Sequence, residues 1–315
     1  MVILYFYVKN IKFIILKLYI KMNIKIAGRD CPIKEFKLDD IVDHASICMI
    51  AKRGSGKSWV CRAIIQHLSN IPGGIIIAPT DEMNCFYGKF YPDLFIHYKY
   101  KSEIIERMLY RQNAVIRKEK EKAKQGKKID SRALLVMDDC LSSKGSWMKD
   151  EPIMKMFFDG RHYKVTYILT MQFPLGISPE LRGNFDYIFL LAEDFFSNQK
   201  RIYEHYAGMF PNLETFRQVF TQVTNDYGCM VIVNRGSRDT FLDKVFWYKA
   251  PDSMKKDMGC KQFRKYHSNN YDEDWKNKSK PFDMSKFIGR KKSNIRIKIN
   301  KLTKEEGEEF DKENK

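Results

Sequence analysis

Apolar residues along this chain gather in short blocks that are either unbroken or alternate with polar ones: Ser46–Ala51, Gly74–Ala78, Phe95–Tyr98, Ala133–Met137, Thr166–Thr170, Tyr187–Leu191 and Cys229–Asn234. Runs of that length predict β-strands, and the unbroken ones predict strands covered on both faces. Between most of them apolar positions recur at helical spacing, as over Trp59–Leu68 and the longer Lys101–Lys128 segment. Strands that alternate with helices build a largely parallel sheet with helices on its faces, so the expected class is α/β.

Both ends depart from this pattern. The first 21 residues are apolar but interrupted by Lys9, Lys12, Lys17 and Lys21, so no uninterrupted stretch has the length needed to span a bilayer. No small-residue cleavage site follows, and secretion is not expected. Three roles fit: an interfacial membrane helix, a docking strand or helix, or an extension upstream of a core that begins at Met22. Residues 23–38 already read as a lead-in to the first strong strand, which favours the extension and makes membrane contact through the N-terminus the weaker expectation. Beyond Tyr248 the periodicity fades. Gly289–Lys304 holds seven Lys and Arg with no acid, and Glu305–Lys315 is mostly acidic. The expected organisation is therefore an extension over 1–22, a core domain over 23–250, and a C-terminal extension over 251–315 with a mobile, basic then acidic tail.

The chain has 315 residues, 44% of them hydrophobic, enough for one large α/β domain with extensions and too many for overall disorder. Its 56 Lys and Arg against 39 Asp and Glu give a net charge of +17, which suits a polyanionic partner such as nucleic acid. Arg117–Lys128 contributes seven basic residues against Glu119 and Glu121; a solvated helix face is the leading reading there, ahead of a DNA-contacting arm. The seven cysteines are scattered without a CxxC pair, a pattern of a reducing compartment and not of structural zinc.

The candidate chemistry starts at Ala51-Lys52-Arg53-Gly54-Ser55-Gly56-Lys57-Ser58, between the first strand and a helix. N–H groups of a glycine-rich turn at the positive end of a helix cradle phosphates. Lys57 would reach the β- and γ-phosphates and Ser58 would hold Mg²⁺ through its hydroxyl. Leu134–Met137 ends in two adjacent carboxylates, Asp138 and Asp139; the first would position Mg²⁺ and the second would polarise an attacking water. Gln172 follows the strand Thr166–Thr170. If that strand lies between the phosphate-loop strand and the Asp138 strand, Gln172 points at the γ-phosphate, offering a donor and an acceptor together. Arg161 and Arg182 flank the same strand in sequence, and each is either a helix cap or ion-pair partner or a cation supplied to a neighbouring subunit's site. His162 reads as a structural hydrogen-bonding residue.

Taken in order, Ala51–Ser58, Ile77–Asn84 (IAPTDEMN), Leu134–Cys140 (LLVMDDC) and above all Asp159–Leu191 resemble the poxvirus-type genome-packaging ATPases of large nucleocytoplasmic DNA viruses and virophages, within the FtsK/HerA superfamily. The resemblance covers roughly residues 25–250. It implies a RecA-like P-loop NTPase core, a homo-oligomeric ring, ATP and Mg²⁺ as cofactors, and movement of double-stranded DNA into a capsid. It also implies capsid or portal partners and residence in host cytoplasm or a viral factory. Position by position it supports Lys57 and Ser58 for ATP and Mg²⁺, Asp138 for Mg²⁺, Asp139 as catalytic base, Gln172 as sensor, and Arg161 ahead of Arg182 as the finger. Two departures stand out: Ala51 replaces the usual first glycine, and the catalytic acid is Asp where many relatives carry Glu. A P-loop kinase and a nucleotide-binding scaffold with little turnover are the competing readings. The Asp138–Asp139 pair and Gln172 speak against the first, and the intact Lys57, Asp138 and Asp139 against the second.

Overall fold

A computed structural model describes residues 24–26, 29–140, 147–236, 240–252, 257–274 and 303–313. The chain divides into two compact units, 1–267 and 268–315.

The larger unit is organised by a nine-stranded sheet. In chain order its strands are β3 (Lys34–Glu35), β4 (Ser46–Ile50), β5 (Gly74–Ile77), β6 (Ile96–His97), β7 (Ala133–Met137), β8 (Val165–Met171), β9 (Tyr187–Leu191), β10 (Gly228–Val233) and β11 (Val245–Lys249). A separate hairpin of β1 (Ile24–Ile26) and β2 (Arg29–Cys31) precedes them. Across the sheet the order is β3-β11-β10-β9-β4-β8-β7-β5-β6. Only β10 runs against its neighbours, pairing antiparallel with β9 and β11; the other pairs are parallel. All seven strands expected from the pattern are present within a residue or two of their ends. The pattern missed β3 and β11, because β11 is partly exposed and shows no two-residue alternation.

The middle strands are buried throughout because each face is covered. Cys48 and Ile50 of β4 and Leu135 and Met137 of β7 face one core, while Ile47 and Met49, Leu134 and Val136 face the other. The first core is closed by α2 (Ser102–Ala123), α3 (Glu151–Asp159), α5 (Phe196–Tyr206) and α6 (Leu213–Val223); the second is closed by α1 (Lys57–His67). A short α4 (Pro179–Arg182) lies on the crossover from β8 to β9. Packing does not stop at Ala250. Met258 is buried, Cys260 N–H donates to the Pro72 carbonyl at 2.8 Å, and Phe263, on α7 (Lys261–Asn270), stacks on Phe95 at 4.0 Å. The core unit therefore runs past the expected boundary to His267.

The apolar N-terminal stretch and most of the basic run of 289–304 lie outside the described residues. In the second unit, Lys304–Glu313 forms a helix, α8, where the charge pattern suggested a mobile tail. Thr303 caps it: Glu306 N–H donates to Thr303 Oγ1 at 3.4 Å while Thr303 N–H donates to Glu306 Oε2 at 2.8 Å. That reciprocal capping box satisfies N–H groups that an uncapped helix start leaves free. Among the described residues no helix is long and apolar enough to cross a membrane.

Gln112 links α2 to the sheet. It is fully buried, and its Nε2 donates to the Ser131 and Tyr163 carbonyls, both at 2.8 Å, in the turns that launch β7 and β8. Replacing it with Leu leaves both carbonyls without a donor, which costs about 2–4 kcal/mol. Urea unfolding of Gln112→Leu should show that loss as a lower midpoint with an unchanged m-value.

Candidate functional site

The phosphate loop begins on the sheet. Ala51 N–H donates to the Met171 carbonyl at 2.9 Å, and Ala51 itself is buried. Its φ is not positive, so a methyl group fits where a first glycine is usual. The two positions that do need glycine are Gly54 (φ 78°) and Gly56 (φ 95°). Between them Ser55 Oγ donates to the Lys52 carbonyl at 2.7 Å, and Lys52 pairs with Asp194 in the segment that follows β9. Gly56 caps α1, whose first helical residues are Lys57 and Ser58. Their N–H groups have no partner four residues back, which leaves them facing outward as anion donors.

Lys57 turns away from its helix toward the ends of two strands. Its Nζ lies 2.7 Å from Asp138 Oδ1 and 2.5 Å from Asp139 Oδ2. All three side chains are enclosed, at 11%, 9% and 13% exposure. Burial by itself would push the Lys57 pKa down. The charges and hydrogen bonds of Asp138 and Asp139 more than offset that, and the net shift is upward. Lys57 is therefore held as a cation between two carboxylates.

β8 lies between β4 and β7 in the sheet, the order on which the role of Gln172 depends. Gln172 Nε2 donates to Asp139 Oδ2 at 3.2 Å. Asp139 Oδ1 is buried and has no hydrogen-bond partner. It is thus an acceptor enclosed beside the loop, in a residue whose backbone is itself left-handed at φ 51°. The sites of nucleophile activation in many enzymes concentrate such conformations.

Two residues escaped the sequence reading. Thr170, fully buried on β8, donates its hydroxyl to Asp138 Oδ1, accepts from Asp139 N–H at 3.1 Å, and lies 3.3 Å from Lys57 Nζ. Through one oxygen it holds the Asp138 carboxylate and the Asp139 backbone. The spacing Thr-x-Gln at the end of β8 was the available signal: it puts Thr170 and Gln172 on the same side of the strand. Tyr87 is the second. Burial above all, then the Cys61 thiol and the Asp138 carboxylate, raises its pKa well above the ordinary phenol value, so it stays a neutral donor beside Asp138. Asp81 brings it there by accepting Phe86 N–H at 2.7 Å and Tyr87 N–H at 3.1 Å. No local sequence pattern reports that contact.

The arginines lie elsewhere. Arg161 precedes β8 at the end of the sheet opposite the phosphate loop, and its Nη2 donates to Asp186 Oδ1 at 3.1 Å. The two edges are separated by the length of β4, five residues, or roughly 16 Å at about 3.3 Å per residue. Its side chain is 59% exposed. Arg182 is committed within its own chain: Nε and Nη2 donate to the Ile177 carbonyl at 3.1 and 2.8 Å, bracing the β8–β9 crossover. Neither arginine joins Lys57 and Asp139 in one copy of the chain. His162 is exposed at the Arg161 edge, away from the carboxylates.

Together these elements form an open cleft of about 910 Å³ lined by the loop, Asp138, Asp139, Gln172, Trp59, Tyr87 and Tyr227 among others.

A family model described as Poxvirus A32 protein matches residues 33–206. An uncharacterized protein of Acanthamoeba polyphaga mimivirus is 50% identical over 241 residues, 76% of this chain and 84% of that protein. An uncharacterized protein of Invertebrate iridescent virus 6 is 33% identical over 240 residues, 74% of this chain and 88% of its own length. The solved genome packaging NTPase B204 from Sulfolobus turreted icosahedral virus 2, in complex with AMPPCP, aligns with 66% of this chain and 98% of its own at TM-score 0.45 and 14% identity.

Thr170→Val removes the shared hydroxyl while keeping the shape of the side chain. Turnover of nucleoside triphosphate should fall by about 10- to 100-fold, in line with the loss of one positioning hydrogen bond at a reacting group. Nucleotide affinity should change little, and Thr170→Ser should recover most of the rate in a steady-state phosphate-release assay.

Proposed function

This chain belongs to the Poxvirus A32 protein family, and on that premise we propose that it is an ATP-driven translocase of double-stranded DNA that packages a viral genome into a capsid. The observation that carries the reading is the enclosed cluster of Lys57, Asp138, Asp139 and Thr170, with the exposed Gln172 bonded to Asp139, facing a phosphate loop. A cation for the phosphates, a paired carboxylate and a second carboxylate with a buried free oxygen are the parts that hydrolysis needs.

In this reading Asp139 Oδ1 takes a proton from a water whose oxygen attacks the γ-phosphorus. The bond from that phosphorus to the bridging oxygen breaks, and the electron pair leaves with ADP. Lys57 stabilises charge on the phosphate oxygens, and Gln172, hydrogen-bonded to Asp139, registers whether the γ-phosphate is present. A kinase would need neither a water-polarising acid directly next to the carboxylate that positions Mg²⁺ nor Gln172 on the adjacent strand, which disfavours that reading.

Ser58 and Asp138 fit a magnesium ion. Among the described residues no group of three or more His, Cys, Asp or Glu could hold a metal alone, and Mg²⁺ ordinarily binds through one or two carboxylates together with phosphate oxygens and water. When bound, it would neutralise charge on the transferring phosphate.

The opposite-edge position of Arg161 suits a ring in which one copy supplies it to the next copy's site, exchanging Asp186 for the γ-phosphate. Arg182, braced on Ile177, is the weaker candidate. The net charge of +17 favours a polyanion in the ring. Capsid or portal proteins would be the docking partners, in the host cytoplasm or a viral factory.

Steady-state ATP hydrolysis tests the reading. Long duplex DNA should raise turnover several-fold, the stimulation should weaken as salt rises, and Lys57→Ala should be inactive. Turnover indifferent to duplex, or phosphate appearing on a nucleoside acceptor, would rule out the motor. In mixtures of wild-type and Arg161→Ala chains, activity should fall more steeply than the mutant fraction, because each altered copy silences its neighbour's site.

A further inference from the structure

Lys57, Asp138, Asp139 and Gln172 mark where the γ-phosphate belongs: at the ends of β7 and β8, on one flank of β4. A triphosphate laid along Gly54–Ser58 from that point runs toward the other flank, where β9 and β10 stand. Tyr227 is the aromatic residue waiting there. It lines the same cleft and is 64% exposed. Its ring lies over the loop, so that a Cβ on Gly56 would sit 3.5 Å from Tyr227 Cδ1.

Packing does not explain this exposed ring, and its backbone is unfavourable. Asp226 and Tyr227 adopt φ of 50° and 59° in succession, left-handed values that are uncommon for residues other than glycine, and most unusual for a bulky one. The turn is braced from outside. Lys249 Nζ pairs with Asp226 Oδ2 at 2.5 Å, and Asp226 N–H donates to Asn225 Oδ1 at 3.0 Å. The next residue must be glycine, because a Cβ on Gly228 would lie 2.3 Å from the Val223 carbonyl oxygen. The chain thus holds a strained turn in place, and what the turn presents is an aromatic face beside a phosphate loop. Strain retained in this way concentrates at ligand clamps.

We propose that Tyr227 is the stacking platform for the base of the bound nucleoside triphosphate, and that it sets a preference for purine over pyrimidine triphosphates. This rests on the nucleotide-hydrolysing reading above and extends it to the opposite end of the same substrate. Stacking accepts any base, but a purine offers the larger π-face and gains more from it. Aromatic pairs contribute enough for about a tenfold difference in affinity.

The test is calorimetric binding of ATP, CTP and inorganic tripolyphosphate to the full chain and its Tyr227→Ala, Tyr227→Phe and Tyr227→Gly variants. Tyr227→Ala should lose about tenfold in ATP affinity, bind tripolyphosphate as before, and bind ATP and CTP almost equally. Tyr227→Phe should behave as wild type. Tyr227→Gly should melt no lower than wild type, since glycine suits the left-handed backbone, yet lose ATP affinity as Tyr227→Ala does; this separates the platform from the fold. Unchanged ATP affinity in Tyr227→Ala, or equal loss of ATP and tripolyphosphate, would overturn the proposal. Lys57→Ala separates the two levels: if it binds ATP as wild type does, the nucleotide reading fails whatever Tyr227 does.

Discussion

One buried ammonium between two carboxylates governs this structure. Asp138 and Asp139 are adjacent in sequence, enclosed, and both within 2.7 Å of Lys57 Nζ. At an effective dielectric of about 20, two like charges about 4 Å apart repel by roughly 4 kcal/mol, so the pair is tolerable only with a cation between its members. A lysine on a helix start can fill that place only if the phosphate loop is held at the ends of the strands that carry the acids. Loop, strand order and carboxylates therefore constrain one another.

The sheet supplies that arrangement. Placing β8 between β4 and β7 sets its C-terminal end between the loop and the two acids. From there Thr170 reaches Asp138 and Asp139 at once, and Gln172 reaches Asp139. The order is stabilised by two cores, one on each face, because unbroken apolar strands must be covered twice. At the far edge Asp186 performs a similar service, accepting Ser46 N–H and Oγ–H at 2.9 Å and pairing with Arg161. One end of the sheet thus concentrates chemistry, while the other presents an exposed arginine to whatever lies beside it.

Much of this was legible in the residues. The seven main strands, the helix after the phosphate loop and the choice of Lys57, Asp138, Asp139 and Gln172 as one cluster all follow from patterns a few residues long, since period, glycine placement and adjacent acids are local signals. The capping box at Thr303 was equally local, and the basic and acidic runs around it drew attention away from the helix it starts. The edge strand β11 was not legible, because a partly exposed strand lacks the alternation that marks a half-buried one.

By itself the sequence determined the class of fold, the phosphate loop and the identity of the acids, because those depend on neighbours within one turn or one strand. Only the tertiary structure decided which distant groups complete the site. Tyr87 meets Asp138 through a loop folded around Asp81, Tyr227 meets Gly56 across the chain that carries β5 to β9, and Arg161 is carried to the edge where its own Lys57 is out of reach. Those meetings are set by strand order and crossover, which place residues tens of positions apart at one sheet edge, and no spacing along the chain encodes them.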